Sequence, residues 1–421
     1  MTHTRAEIIT IGDEILYGQI LDTNSQWISR QLDDLGIRVV RKVTIGDNET
    51  DILYAFARAQ KNASLVLITG GLGPTNDDLT KPLLAKHFGV EIKLNEQALK
   101  EVTELFRNFG KELTPTNRTQ AELPVNCTMI SNKLGSAPGM WFDENDTVFV
   151  VMPGVPHEMK GMMTEIILPR IKERFSTQLI YHKIIKTTGI GESWLSDKIK
   201  TWEEQLPEHI KLAYLPSVME VKLRLTASGY DKKQLIADVE KEIGKLKPLA
   251  GKYIFGYNDD TLEKVVGEML RSKGKTIATA ESCSGGFLSH KLTSVPGSSD
   301  YFLGGIVSYN NAIKVASLGV NEETLNKYGA VSEQTVNEMA RNVRKIIGTD
   351  IGVAITGVAG PAGGTPDKPV GTVWVAVSDN DETRVLKFSF TKNRMVNIEA
   401  SAKVAMNMVR QRMAEYDKDT R

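Results

Sequence analysis

From Ile8 to about Glu173 the chain alternates short apolar runs with stretches whose apolar residues recur at helical spacing. This is the pattern of a doubly wound α/β sheet covered by helices on both faces. Ile8 to Ile11 reads as a first buried strand. Asn24 is placed to cap a helix with Ile28, Leu32 and Leu35 on one face, and Gly36 stops it. Val39, Val40 and Val43 suggest a second strand, and Ile52, Leu53, Phe56 and Ala57 a second helix face. Leu65 to Thr69 and Val148 to Met152 complete the buried strands of this part.

From about Phe175 to Lys247 the pattern changes. TTGIGESWLSDKI predicts a turn followed by a helix, and VMEVKLRLTASG alternates as a half-exposed antiparallel strand does, which together suggest a small α+β insert. Glu220, Lys222 and Arg224 share one face of that strand and read as its solvated side. KLKPLAGKYIFGYNDD then reads as a linker and an entering strand, before a helix from Leu262 to Leu270. A second α/β pattern follows, with strands expected at Thr276 to Ala280, Ile306 to Tyr309, Val353 to Thr356, Val373 to Val377 and Val385 to Phe390. The expected architecture is two doubly wound α/β domains, residues 1–173 and 251–421, joined by a small α+β domain, 174–250.

A chain of 421 residues suits two or three domains. Lys+Arg and Asp+Glu both number 52, so no global field gathers polyanions, and nucleic-acid partners are not expected. Cys127 and Cys283 are the only cysteines and stand in no metal or disulfide spacing. No signal-peptide core develops near the N-terminus and no apolar run approaches the roughly 18 residues of a membrane span. The expectation is a cytoplasmic protein with no membrane association.

Three loops of the first domain follow strands: Gly12-Asp13-Glu14, the run Gly70 to Asp78 (GGLGPTNDD), and Pro153-Gly154-Val155-Pro156. Ligands of open α/β sheets sit at such strand ends. Gly70, Gly71 and Gly73 permit a backbone that wraps a phosphate, and Thr75 adds a donor. Asp13, Asp77 and Asp78, with Glu158, are hard oxygen ligands suited to a divalent ion on a pyrophosphate. Sharp turns and helix caps explain the same residues without a ligand. There is no P-loop and no GxGxxG fingerprint; Gly189-Ile190-Gly191 stops short of one.

In the last domain ATAESCSGG puts Glu281, Ser282, Cys283 and Ser284 in a tight turn between a strand and a helix, with Ser284 and Gly285 expected to contact substrate. Some thirty residues on, Tyr309 ends a strand and Lys314 lies in the following helix. If the two strands are neighbours, Ser282 and Lys314 form a serine nucleophile with a lysine base. The base role needs the lysine pKa lowered, by burial or by a nearby cation such as Arg394, which is equally suited to a substrate phosphate. Thr356, Gly357 and the glycines after them could cradle a phosphate or an oxyanion. Ser284 as a helix cap, Tyr309 as a core aromatic and Lys314 on a solvated face are the plainer alternatives.

TIGDEIL, GQILDTNS, TGGLGPTNDDLT, APGM and MPGVPHEM resemble the first domain of the CinA family, which is related to molybdopterin-binding proteins. ESCSGG, YNNAIK, TGVAGPAGG and KPVGTVWVAV resemble its C-terminal domain. The resemblance implies two activities. One is hydrolysis of ADP-ribose to AMP and ribose 5-phosphate in the first domain, with a divalent metal and potassium; Gly70, Gly71, Gly73, Thr75, Asp77 and Asp78 would hold diphosphate and metal. The other is hydrolysis of nicotinamide mononucleotide to nicotinic acid mononucleotide and ammonia in the last domain, without a cofactor. There the resemblance makes Ser282 the nucleophile, Lys314 the base and Tyr309 a positioning group, with Thr356 and Arg394 on substrate. The family usually carries Thr where this chain has Ser284, which leaves two adjacent candidate nucleophiles. The middle module is similar to the family's KH-like domain but shows no GxxG loop, which argues against RNA. A homodimer is expected. The competing readings are a competence- or damage-associated adaptor whose pockets only bind, and a molybdopterin handler.

Overall fold

The computed structural model describes residues 4–75, 77–144, 146–175 and 179–419, so Asn76 of the GPTNDD loop lies outside the described residues. Contacts divide the chain into two units. One runs up to Tyr181 and takes in Ala227–Ile236; the other comprises His182–Thr226 and Ala237–Arg421.

The first unit contains strands β1 (Arg5–Ile11), β2 (Arg38–Ile45), β3 (Leu65–Thr69), β4 (Ile92–Leu94), β5 (Glu122–Pro124), β6 (Thr128–Ile130), β7 (Gly139–Glu144) and β8 (Thr147–Met152). Six of them form one sheet in the order β2-β1-β3-β8-β7-β6; β4 and β5 pair separately. β1, β2, β3 and β8 are mutually parallel, while β7 and β6 run antiparallel at one edge. Alternate residues feed two cores, as period-two side-chain placement requires. Ile9, Ile11, Val66 and Ile68 pack with Ile52 and Phe56, and Ile8, Leu65 and Leu67 with Ile28 and Leu32. Two local expectations are corrected. The cap of helix Thr23–Asp34 is Asp22, whose carboxylate accepts from Ser25 N at 2.9 Å, whereas Asn24 is already inside the helix. On helix Glu49–Asn62 the buried residue is Ala59, one turn from Phe56, and Ala57 faces outward.

Next come β9 (Leu179–Thr188), β10 (Ile210–Ser217), β11 (Glu220–Gly229) and β12 (Ile254–Tyr257), in one sheet ordered β10-β11-β9-β12. The KLKPLAG segment is not a linker. Helix Lys232–Ala250 runs through it with Pro248 in its last turn, because Leu246 and Ala250 are fully buried and hold the turn down. The strand after it pairs antiparallel with β9, Ile254 opposite Thr187, so it belongs to the small sheet although it lies beyond Ala250. A single helix, Glu192–Glu204, separates β9 from β10. Glu220 is not free on a solvated face, since Lys403 Nζ approaches its carboxylate at 3.4 Å.

The last sheet is ordered β14-β13-β15-β16-β17, from β13 (Ile277–Glu281), β14 (Phe302–Val307), β15 (Ile351–Gly357), β16 (Thr372–Ser378) and β17 (Thr383–Ser389). β14, β13 and β15 are parallel, and β16 and β17 antiparallel. One face, through Ile277, Val353 and Ile355, packs on helices Leu262–Ser272, Phe287–Thr293 and Arg394–Asp419; the other, through Ala278, Ala280 and Ala354, packs on helix Glu333–Ile347. Both domains are thus α/β with helices on both faces, and parallel strands direct their carboxyl ends to one edge.

Candidate active site

In the last sheet the ladder is continued past the strand ends. Ser282 N donates to Ile355 O at 2.9 Å and Ser308 N donates to Glu281 O at 2.8 Å. These two bonds bring residues 282 and 308 to the carboxyl ends of adjacent parallel strands. Asn310 then caps helix Asn311–Leu318, its side chain accepting from Ala312 N at 2.9 Å, and aims Lys314 back toward the sheet. Lys314 Nζ lies 3.1 Å from Ser282 Oγ and 2.7 Å from Ser308 O.

Lys314 is 1% exposed, so the solvated helix face considered from sequence does not apply. Both of its hydrogen-bond partners are neutral oxygens. Burial pulls its ammonium below the usual lysine range, outweighing the opposite pull of Cys283. Arg394, the sequence candidate for that shift, is not its cause. The neutral amine has one lone pair and two N–H groups. With one N–H held by Ser308 O, the lone pair can face Ser282 Oγ.

Burial pushes the Cys283 thiol up to about 12, which keeps it protonated and unreactive beside Ser282. Ser284 is also buried, but its Oγ has no hydrogen-bond partner among the described residues. Nor does it cap the next helix; the cap position is Gly286, in left-handed backbone at φ 96°. The turn is organised by a residue to which sequence reasoning gave no role. The fully buried carboxylate of Glu281 accepts from the backbone N–H of Gly286 at 3.1 Å, Leu288 at 3.0 Å and Ser289 at 2.7 Å, and from Ser289 Oγ at 2.6 Å. A glutamate closing a buried strand just before a Gly-Gly helix start was the available signal.

Tyr309 is largely exposed rather than a core aromatic, and its hydroxyl accepts from Arg394 Nη2 at 2.8 Å while Arg394 Nη1 donates to Gly360 O at 2.8 Å. Thr356 points elsewhere. Its hydroxyl donates to Ala330 O at 2.8 Å, tying strand to loop and leaving no proton for a ligand. Gly357 is packed so closely that a side chain would meet Thr372 O at 2.6 Å. Gly285 turns the chain at φ 61°.

The first unit has its own site. A cavity of about 530 Å³ opens at the carboxyl ends of β1, β3 and β8, bordered by Gly12, Gly70, Gly71, Gly73, Gly154 and Glu158, a volume in the range of small-molecule pockets. Asp77 and Asp78 also line it. Asp78 is committed to the loop itself: it accepts from Gly73 N at 2.7 Å, Thr75 N at 2.9 Å and Thr75 Oγ1 at 2.6 Å. Both donors of Thr75 are thereby used, and Thr75 is not in the cavity wall. Asp13 is also outside it, with its carboxylate turned to the Tyr17 hydroxyl at 3.4 Å.

Sequence reasoning missed Glu14, Asp22, Asp47 and Gln120, which do line the cavity. Burial, together with the charges of Asp13, Glu14 and Asp77, raises the Asp47 carboxyl above its usual range, although the Asp13 amide pulls the other way. Gln120 is brought there by Lys81, whose Nζ donates to Thr119 O at 3.0 Å and Gln120 O at 3.2 Å. Burial pulls that ammonium down to about 8. Among the described residues no three or more His, Cys, Asp or Glu side chains converge as a metal centre. With Asp13 turned away and Asp78 saturated, the described residues do not make a preformed site for a divalent ion.

Comparison with known proteins matches three successive parts of the chain. The model of the CinA C-terminal domain matches residues 259–413, that of a probable molybdopterin binding domain residues 7–173, and that of the damage-inducible protein CinA KH domain residues 182–256. A CinA-like protein of Cytophaga hutchinsonii is 49% identical over 414 residues, covering 98% of this chain and 99% of its own. The chain belongs to the CinA family. A putative competence-damage inducible protein of Caldicellulosiruptor saccharolyticus, 36% identical over 98% of this chain and 100% of its own, is a more distant CinA relative. Among solved CinA structures, that from Thermoplasma acidophilum is 32% identical and covers 41% of this chain and 98% of its own, with a TM-score of 0.37. No helix among the described residues of this CinA protein is long and apolar enough to cross a membrane.

Proposed function

We propose that this CinA protein is a two-site hydrolase of pyridine-nucleotide salvage. The last domain hydrolyses the carboxamide of nicotinamide mononucleotide, and the N-terminal cavity takes ADP-ribose for cleavage to AMP and ribose 5-phosphate. The observation that carries the amidase reading is the buried Lys314 amine 3.1 Å from Ser282 Oγ. Lys314 takes the Ser282 proton as Oγ attacks the amide carbon, then returns it to the departing nitrogen, so that ammonia leaves and an acyl-serine remains. Water, deprotonated by the same amine, attacks the ester and frees the carboxylic acid and Ser282. In the turn, the amides of Ser282, Gly285, Gly286 and Phe287 are spent on internal bonds, which leaves those of Cys283 and Ser284 as donors toward the oxyanion. Arg394 holds the exposed Tyr309, whose phenol O–H, its oxygen already accepting from arginine, is free to donate to substrate.

In the N-terminal cavity the Gly70–Gly73 and Pro153–Gly154 loops are read as the diphosphate cradle. A small-molecule substrate for each site and a homodimer complete the proposal. The deciding experiment measures ammonia release from nicotinamide mononucleotide by Ser282→Ala beside Ser284→Ala. Ser282→Ala should be inactive and Ser284→Ala active; the reverse order would overturn the assignment.

A further inference from the structure

A cavity of the second unit, about 520 Å³, lies between the small sheet and the last domain, and neither Ser282 nor Lys314 lines it. It contains the Gly189-Ile190-Gly191 run that matched no nucleotide fingerprint. Its walls are mostly apolar, formed by Ile190, Met219, Leu386, Phe388 and Met408. One polar group in it is unspent. Asn407 is 8% exposed, and its Oδ1 accepts from Arg410 Nε at 3.0 Å and from Nη2 at 2.9 Å. A guanidinium can only donate, so Arg410 fixes the amide with oxygen toward itself and nitrogen away. Asn407 Nδ2 has no hydrogen-bond partner among the described residues. It faces Gly189, where a Cβ would stand 2.9 Å from it; only glycine, at φ 77°, leaves that amide uncovered. Beside it, helix Glu192–Glu204 starts at Gly191 with no side-chain cap, which adds unsatisfied N–H donors.

Asn407 Nδ2 opens onto the cavity, where the acceptor of a ligand can take the place of water. Glu192 and Glu220 line the cavity, Glu220 offset by Lys403 at 3.4 Å, so the remaining charge of Glu192 disfavours an anion there. We infer that this cavity is a second small-molecule site, and that its ligand is a flat, uncharged ring bearing a carbonyl acceptor that Asn407 Nδ2 grips. The site is independent of the hydrolytic reading of either domain.

The test is titration calorimetry of benzamide into the full chain carrying Ser282→Ala, with nicotinamide mononucleotide saturating the catalytic pocket. Saturable one-to-one binding is expected, with benzoate at least tenfold weaker. Asn407→Leu should weaken benzamide at least tenfold. Because that change also releases Arg410, Leu386→Trp serves as a second variant: it fills the cavity from a half-exposed strand and leaves the Asn407–Arg410 pair intact, and it too should weaken binding tenfold or more. Absence of saturable benzamide binding, or binding unchanged by Leu386→Trp, overturns the site. Loss in Leu386→Trp with full retention in a folded Asn407→Leu overturns the role of the amide.

Discussion

Lys314 and Ser282 are thirty-two residues apart in the chain, yet Nζ and Oγ stand 3.1 Å apart in a place from which solvent is nearly excluded. Burial serves the chemistry and weakens the fold in one stroke, because it makes the amine a base by disfavouring its charge. Lys314→Met should therefore cut ammonia release by about 10²–10⁴-fold, the usual worth of a general base, while stability is largely kept, because relief of a buried charge opposes loss of the bond to Ser308 O. Steady-state assay beside thermal unfolding checks both. A variant that is inactive and markedly less stable would mean that the lysine is mainly structural.

The same shift has a sign in pH. The native state binds the Lys314 proton less readily than the unfolded chain does. Between its depressed native pKa and the unfolded value of about 10.4, the unfolded state carries more protons and stability rises with pH. Activity should rise over the lower part of that window as the amine becomes neutral. A pH profile of kcat/KM should show an ascending limb with a midpoint below 10.5, absent from residual hydrolysis by Lys314→Met.

Glu281 is the next residue to alter. Glu281→Gln keeps the shape but turns an amide NH2 toward N–H groups that now share two carboxylate oxygens, at a cost of about 1–3 kcal/mol in stability. Since the turn it holds carries Ser282, kcat should fall by more than KM rises. Unchanged kcat in a folded variant would separate the helix cap from catalysis.

Thr356 supplies a contrast. Its proton is committed to Ala330 O, so Thr356→Val should cost about 1 kcal/mol of stability and leave KM for nicotinamide mononucleotide within about twofold. A large rise in KM with unchanged melting would restore it as a substrate ligand.

In the N-terminal cavity, Asp78 holds the 73–78 loop through three donors. Asp78→Ala should abolish ADP-ribose binding and cleavage while ammonia release is unaffected. Glu14, Asp47 and Asp77 line the cavity without a preformed metal site among the described residues, so magnesium would enter only as the counter-ion of the diphosphate, and ADP-ribose should bind at least tenfold more weakly with a chelator than with magnesium, by calorimetry. Binding indifferent to both would remove the diphosphate from this cavity.

The buried strands were legible because each is a short apolar run between turn residues, a signal that survives without tertiary context. Ser282 and Lys314 could be named because a hydroxyl in a Gly-Gly turn and a lysine after a neighbouring strand suit one chemistry; their meeting depended on adjacent parallel strands. Asp22 and Asn24 are both cap-type residues two positions apart, and only the Ser25 amide distinguishes them. Asp47 and Gln120 reach the cavity from segments with no motif, carried there by sheet order and by Lys81, neither of which a local pattern contains. The linker reading of KLKPLAG failed because Pro and Gly are local stop signals, while the burial of Leu246 and Ala250 is a long-range effect.

β12 hydrogen-bonds to β9 of the small sheet, while its Phe255 packs in the core of the last domain and its Ile254 carbonyl receives Arg410. A single cut beside this strand then costs one of the two pieces an element that it shares with the other. Cut before this strand, and the upstream piece is left with an unzipped sheet margin; cut after it, and the downstream piece loses an aromatic plug.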